Sequence, residues 1–252
     1  MDDVIEVEIG ERIAVVTLHR PEARNALDRR LRAAIPAVLG ELDADPEVGA
    51  VVLTGADPAF CAGLDLKELG SSGLGGGVVG GSPLGDVSKP VIGAVNGPAI
   101  TGGLELALQC DFLVASERAT FADTHARVGV MPGWGLTVLL PQAIGIRRAR
   151  QMSFTGNAVD AATALAWGLV NEVVPHGSLL DRARALALDV VSVPSDGLAG
   201  IREAYRVVAA PTDAPALAAE ATYSTEWARR FDPARLAAER TTIQDRGRSQ
   251  HG

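Results

Sequence analysis

The longest mostly apolar run of this 252-residue chain, residues 91–108, cannot remain a single element. Asn96-Gly-Pro98 breaks it behind a short valine-rich stretch, and Thr101-Gly-Gly103 opens its second half. The proline, the glycines and a carboxylate exclude a membrane span and leave strand, turn and helix. Leu104, Leu106, Ala107 and Leu108 give that helix almost no polar face, so it is expected in the core. Glu105 goes in with it. A carboxylate there is costly unless paired or protonated. Gly102 and Gly103 at the helix start offer free N–H groups and the positive end of the dipole. A candidate general acid/base therefore sits beside a candidate oxyanion site.

The flanking pattern extends this unit. Residues 4–9 and 13–18 read as a β-hairpin about Gly10-Glu11. Strands are expected at 48–53, 90–95 and 112–115, with an intervening helix capped by Asp28 and running to about Leu42. Strands separated by helices point to stacked βα units. After Asp123 the pattern turns helical: 134–143, 158–167, a short extended piece at 171–174, then 178–191, 198–209 and 215–229. Asp232-Pro233 opens a last helix, and residues 247–252 are expected to fray. The organisation is a core over residues 1–195 and a helical C-terminal region over 196–252, without an internal sequence repeat. Residues 70–82 are glycine-rich. Gly75, Gly77 and Gly80 match G-x-G-x-x-G but lack the strand before and helix after that a dinucleotide site requires, so a loop or lid is expected.

With 47% hydrophobic residues the chain can bury a large core. A net charge of −8 argues against a nucleic-acid partner, although clustered arginines could hold a phosphorylated small molecule. Cys61 and Cys110 sit in apolar surroundings and read as small core hydrophobes in a reducing cytoplasm. The acidic start lacks a signal-peptide pattern.

Phe60-Cys-Ala-Gly-Leu-Asp-Leu-Lys-Glu68 follows the strand at 48–53 as Gly102-Gly103 follows the strand at 91–95. Glycine turns at two strand ends can aim two backbone N–H groups at one oxygen; losing one such donor typically costs about 3 kcal/mol of transition-state stabilisation. Two ordinary tight turns are the alternative reading. These segments, with Lys89-Pro-Val-Ile-Gly-Ala-Val-Asn-Gly97, Cys110-Asp111, Arg20-Pro-Glu-Ala-Arg-Asn-Ala-Leu27 and Phe154-Thr-Gly156, resemble the enoyl-CoA hydratase/isomerase (crotonase) superfamily in order and spacing. The resemblance covers residues 4–195 well and the remainder loosely.

The resemblance implies an α/β crotonase (ClpP-like) spiral of ββα units with a helical C-terminal trimerisation region, assembled as a homotrimer or dimer of trimers. It implies an acyl-CoA substrate, no metal, and no cofactor beyond the CoA that the substrate carries. The oxyanion donors would be the N–H groups of Leu64 and Gly102. Ala62, Asp65, Leu66 and Lys67 would line the CoA region, with Arg24 and Lys67 as phosphate candidates and Asp65 alternatively capping the following helix. Glu105 matches the first of two glutamates used by hydratases. The second position, in Phe121-Ala-Asp-Thr-His-Ala-Arg-Val-Gly-Val-Met-Pro-Gly133, holds His125, a departure from the pattern. Asp123 could orient His125 or cap a helix. Trp134 and Leu136 stand where relatives carry small residues, narrowing an acyl pocket or filling core. Arg246 and Arg248 are read as solvated or as touching phosphates. The expected activity is syn hydration of trans-2-enoyl-CoA to 3-hydroxyacyl-CoA in the cytoplasm, away from membranes. A double-bond isomerase and a non-catalytic acyl-CoA binder are the alternatives.

Overall fold

The computed structural model describes residues 4–72 and 81–250. Strands β1 (Ile5–Gly10) and β2 (Ile13–Leu18) form the expected hairpin, turning through Glu11 and Arg12, both at positive φ. Helix α1 (Arg29–Ala44) starts where the Asp28 carboxylate accepts the N–H of Leu31 at 2.8 Å. It buries Leu31, Ile35, Leu39 and Leu42 along one stripe. Strand β3 (Ala50–Gly55) and helix α2 (Leu66–Ser72) follow. Next come strands β4 (Val91–Val95) and β5 (Ala99–Ile100) and helix α3 (Gly102–Leu108). Strands β6 (Phe112–Ser116) and β7 (Thr120–Ala122) then lead to the short helix α4 (His125–Val128).

The six-stranded sheet has the order β1-β2-β3-β4-β6-β9, where β9 is Glu172–Val174, and only the hairpin pair is antiparallel. Side chains alternate between its faces, as the two-residue period demands. Ala14, Val16, Val51, Leu53, Val91 and Val95 join the main core with α1 and α3. Ile13, Val15, Ala50, Val52, Ile92 and Ala94 face helix α8 (Leu179–Ser192) through Leu179, Ala183 and Ala187.

A smaller sheet orders β5-β7-β8, with β8 at Val159–Asp160, and Cys61 bridges Ala99 at its edge. The chain thus lays a long strand in the first sheet, a short segment in the second, then a helix, three times over: β3, Cys61, α2; β4, β5, α3; β6, β7, α4. This is a ββα spiral. It repeats in geometry and not in sequence, because each turn needs only an apolar strand, a tight turn and a second buried segment.

The helical half departs from expectation in several places. Trp134 lies ahead of helix α5 (Leu136–Ile144), and Gly145 separates α5 from α6 (Ile146–Thr155), which the pattern did not show. Asp160, not Ala158, sets the next start: it accepts the N–H of Thr163 and caps α7 (Ala161–Trp167). The helices expected at 198–209 and 215–229 are one 34-residue helix, α9 (Ser195–Ala228), with Pro211 and Pro215 inside it. Each proline removes one ladder bond. Six alanines between positions 209 and 219 favour helix strongly enough to carry the chain through. Residues 247–249, expected to fray, complete α10 (Pro233–Ser249). Leu236 of α10 is buried against Leu69 and Val130, so the chain end packs onto α2 and α4. The expected lid at 70–82, with its glycine motif, lies mostly outside the described residues.

Candidate active site

Two backbone turns meet at the centre of the spiral. Gly63 adopts φ +81, and a Cβ there would lie 2.6 Å from the Ile100 carbonyl oxygen and 3.3 Å from the Gly102 nitrogen. Leu27 donates its N–H to the Gly63 carbonyl at 2.8 Å and accepts from the Asp65 N–H at 3.2 Å. The intervening Leu64 N–H therefore points away from that pairing. Gly102 is the first residue of α3, ahead of the turn whose N–H groups find intrahelical partners. Thr101, just before it, is held at φ 57 and ψ −109, a conformation that costs about 1–3 kcal/mol in a non-glycine residue. Its hydroxyl pairs with that of Thr124 at 2.5 Å and accepts the Thr124 N–H at 3.1 Å, while its own N–H donates to Ala122 at 2.8 Å. Nothing in the sequence marks Thr101 as strained.

Glu105 is 3% exposed and fully engaged. One carboxylate oxygen accepts the N–H groups of Gly133 at 3.2 Å and Trp134 at 2.9 Å. The other lies 3.3 Å from His125 Nε2. On the far side of the ring, His125 Nδ1 is 2.7 Å from Asp123 Oδ1, which also accepts the His125 backbone N–H at 3.1 Å. Asp123 thus both orients the imidazole and ties the first turn of α4. Burial opposes charge on Asp123, but hydrogen bonds and charge attraction from His125, with a further bond from Ser153, hold its carboxyl below the usual range. Burial alone would push the imidazole down; the Glu105 carboxylate on one side and Asp123 on the other outweigh it and raise it well above the ordinary 6.5. Raised in this way, the ring holds its second proton more firmly than a free imidazole, and in that form it donates to a carboxylate at each end.

A cleft of about 600 Å³ opens over these turns. Arg24, Ala62, Leu64, Asp65, Leu66 and Lys67 all line it. Asp65 caps α2, accepting the N–H groups of Lys67 and Glu68, and also pairs with Arg20 at 3.2 Å. Lys67 and Arg24 are exposed at the mouth. Arg127 and, near the chain end, Arg246, Arg248 and Gln250 line it as well. Arg246 donates to Asn157 at 2.7 Å and Arg248 pairs with Asp245 at 2.9 Å. Gly102, Glu105, His125 and Trp134 lie outside the lining; Thr101 and Thr124, which directly precede Gly102 and His125, are in it. Trp134 is buried with its ring against the Gly102 turn: a Cβ on Gly102 would sit 3.4 Å from Cζ3. Both thiols are pushed up by burial, Cys61 to about 12, and are inert.

The enoyl-CoA hydratase/isomerase family model matches residues 8–232. The chain belongs to the enoyl-CoA hydratase/isomerase family. A probable enoyl-CoA hydratase of Mycobacterium tuberculosis is 37% identical over 207 residues, 80% of each chain. The crystal structure of an enoyl-CoA hydratase from Mycobacterium smegmatis is 46% identical and superposes with a TM-score of 0.84, covering 91% of this chain and all of the other. A monofunctional enoyl-CoA isomerase of M. smegmatis is 34% identical with a TM-score of 0.69, over 80% of this chain and 91% of its own. The ββα spiral with its C-terminal helices is the family's crotonase fold, as the resemblance implied. Among the described residues no helix is long and apolar enough to cross a membrane.

Sequence reasoning missed Asn25. It is buried at φ 54, accepts the Arg20 N–H, and donates through one amide group to Ala56 at 2.8 Å and Ala59 at 2.7 Å. It ties the Arg24 segment to the loop before Cys61 and so shapes the cleft. The available signal was an asparagine in a loop, the residue type that tolerates left-handed backbone.

Proposed function

We propose that the protein is an enoyl-CoA hydratase, adding water syn across a trans-2-enoyl-CoA to give a 3-hydroxyacyl-CoA. The observation that carries this reading is the buried Asp123–His125–Glu105 chain beside two abutting glycine turns. The Leu64 and Gly102 N–H groups hold the thioester oxygen and stabilise the enolate that forms when Cβ is attacked. Glu105 takes a proton from water as its oxygen bonds to Cβ. The His125 imidazolium, kept charged by its two carboxylates, delivers a proton to Cα. A proton then passes from Glu105 to His125 across their contact and resets the pair. Arg24, Lys67 and the Ala62–Leu66 backbone accommodate the CoA moiety, and the Trp134 ring against the oxyanion turn favours short acyl groups.

A second reading, double-bond isomerisation, rests on the same contact that resets the hydratase pair. At 3.3 Å, Glu105 and His125 touch directly, so a proton can move between them without an intervening water. Exposed Ile201, Tyr205 and Val208 on α9 support assembly through the C-terminal helices into a homotrimer or a dimer of trimers. Two free cysteines, Cys61 buried and Cys110 half-buried, are consistent with a cytoplasmic setting.

The test follows the loss of enoyl-thioester ultraviolet absorbance with crotonyl-CoA. Turnover by the wild type, abolished in Glu105→Gln and strongly reduced in His125→Ala, is expected. Full activity in His125→Ala would sink the two-residue mechanism, and tight binding without turnover across chain lengths would make the protein a binder.

A further inference from the structure

The loop that holds Glu105 is itself held by a second buried carboxylate. Glu220, in the last third of α9 and 9% exposed, accepts the Gly135 N–H at 2.5 Å with one oxygen. Its other oxygen accepts the Thr137 N–H at 2.7 Å and the Thr137 hydroxyl. Gly135, at φ +96, is the residue just ahead of α5, and α5 has no side-chain cap from its own segment. The N–H groups immediately upstream, of Gly133 and Trp134, are the ones donated to Glu105. Residues 133–137 are thus strung between two carboxylates, Glu105 from the spiral and Glu220 from the C-terminal helix.

Glu220 does not act alone on its face. Ser224 donates to the Met131 carbonyl at 3.2 Å and Trp227 Nε1 to the Gly129 carbonyl at 3.1 Å. Spacings of four and three residues put all three on one side of α9, and their partners run in order along residues 129–137. Burying the Glu220 carboxylate costs solvation that its three hydrogen bonds offset, whereas an apolar side chain would fill the same space without that cost.

We infer that Glu220 is a positioning residue for catalysis: by fixing Gly135 and Thr137 it fixes the two N–H donors that aim Glu105. The inference rests on the hydratase/isomerase reading for its kinetic test. Glu220→Ala is expected to lower kcat by about ten- to a hundredfold, the scale of a small misplacement, with KM little changed. Glu220→Gln, which keeps a carbonyl oxygen for one of the two sites, should recover part of that loss. Glu226→Ala, an exposed acid on the same helix, should leave kcat unchanged and controls for charge removal. Thermal melts accompany each variant. A Glu220→Gln enzyme with wild-type kcat, or Glu220 variants that only lower Tm, would overturn the inference. A crystal structure of Glu220→Gln reads it independently of turnover. Gly133 and Trp134 N–H groups drawn out of reach of Glu105 support it; an undisturbed 133–137 segment refutes it, whatever reaction the wild type performs.

Discussion

His125 carries more of the site's electrostatics than its single charge suggests. It is the one cation among three buried groups, and removing it leaves Glu105 and Asp123 facing each other's charge without compensation. Truncation to alanine is expected to cost about 3–5 kcal/mol of stability, the range for breaking a buried pair from one side. The sign of the pH effect follows from its raised pKa. The imidazolium contributes stability that is fully present below the unfolded value near 6.5 and is lost as pH rises through the higher folded value. Wild-type Tm should therefore fall on the alkaline side of neutrality, and that fall should flatten in His125→Gln; scanning calorimetry across the pH range checks both. Each member of the triad was legible in the sequence as a candidate. Their direct contact was not, because 20 residues and a full turn of the spiral separate Glu105 from His125, and no local pattern encodes that closure.

At the scale of elements, the glycines after each strand are what allow the turns of the spiral to nest. Gly103 shows this most sharply: a Cβ there would strike the carbonyl oxygen of Cys61. Backbone cannot yield as a flexible side chain does, so Gly103→Ala is expected to cost at least about 1–3 kcal/mol and to shift α3 away from the Gly63 turn. Circular-dichroism melts measure the first effect, and a fall in kcat for crotonyl-CoA at saturating substrate measures the second. The strands were readable because β2, β3 and β4 are short, nearly continuous apolar runs rich in valine, with both faces buried. Helix α6 was not, because only Ala149 and Met152 are buried along it and arginines dominate the rest. The split proposed for α9 failed for the opposite reason: two prolines spoke louder in the sequence than the alanines around them. The small sheet of β5, β7 and β8 left no signal, since segments of two or three residues show no periodicity.

For the whole molecule, the last helix decides how the cleft is enclosed. Leu236 of α10 is 2% exposed among Leu69 and Val130, and Arg246 and Arg248 line the same cleft as Arg24 and Lys67. Removing residues 233–252 should raise the dissociation constant for a saturated acyl-CoA by about tenfold or more, some 1.4 kcal/mol. Isothermal calorimetry with butyryl-CoA on the full chain and the truncated chain measures it. Equal affinities would mean that the wall formed by α10 makes no contact with the ligand.

The position of that chain end also governs how the protein is best handled. Gln250 lines the cleft, only two residues before the terminus. On the proposed function, a purification tag or fluorescent fusion joined after Gly252 starts two residues beyond a cleft-lining side chain and crowds the substrate's entrance. The opposite terminus leads into β1, at an edge of the main sheet and outside the cleft lining. Fusions there leave the entrance open, so weak activity in a C-terminally tagged preparation should first be charged to the tag.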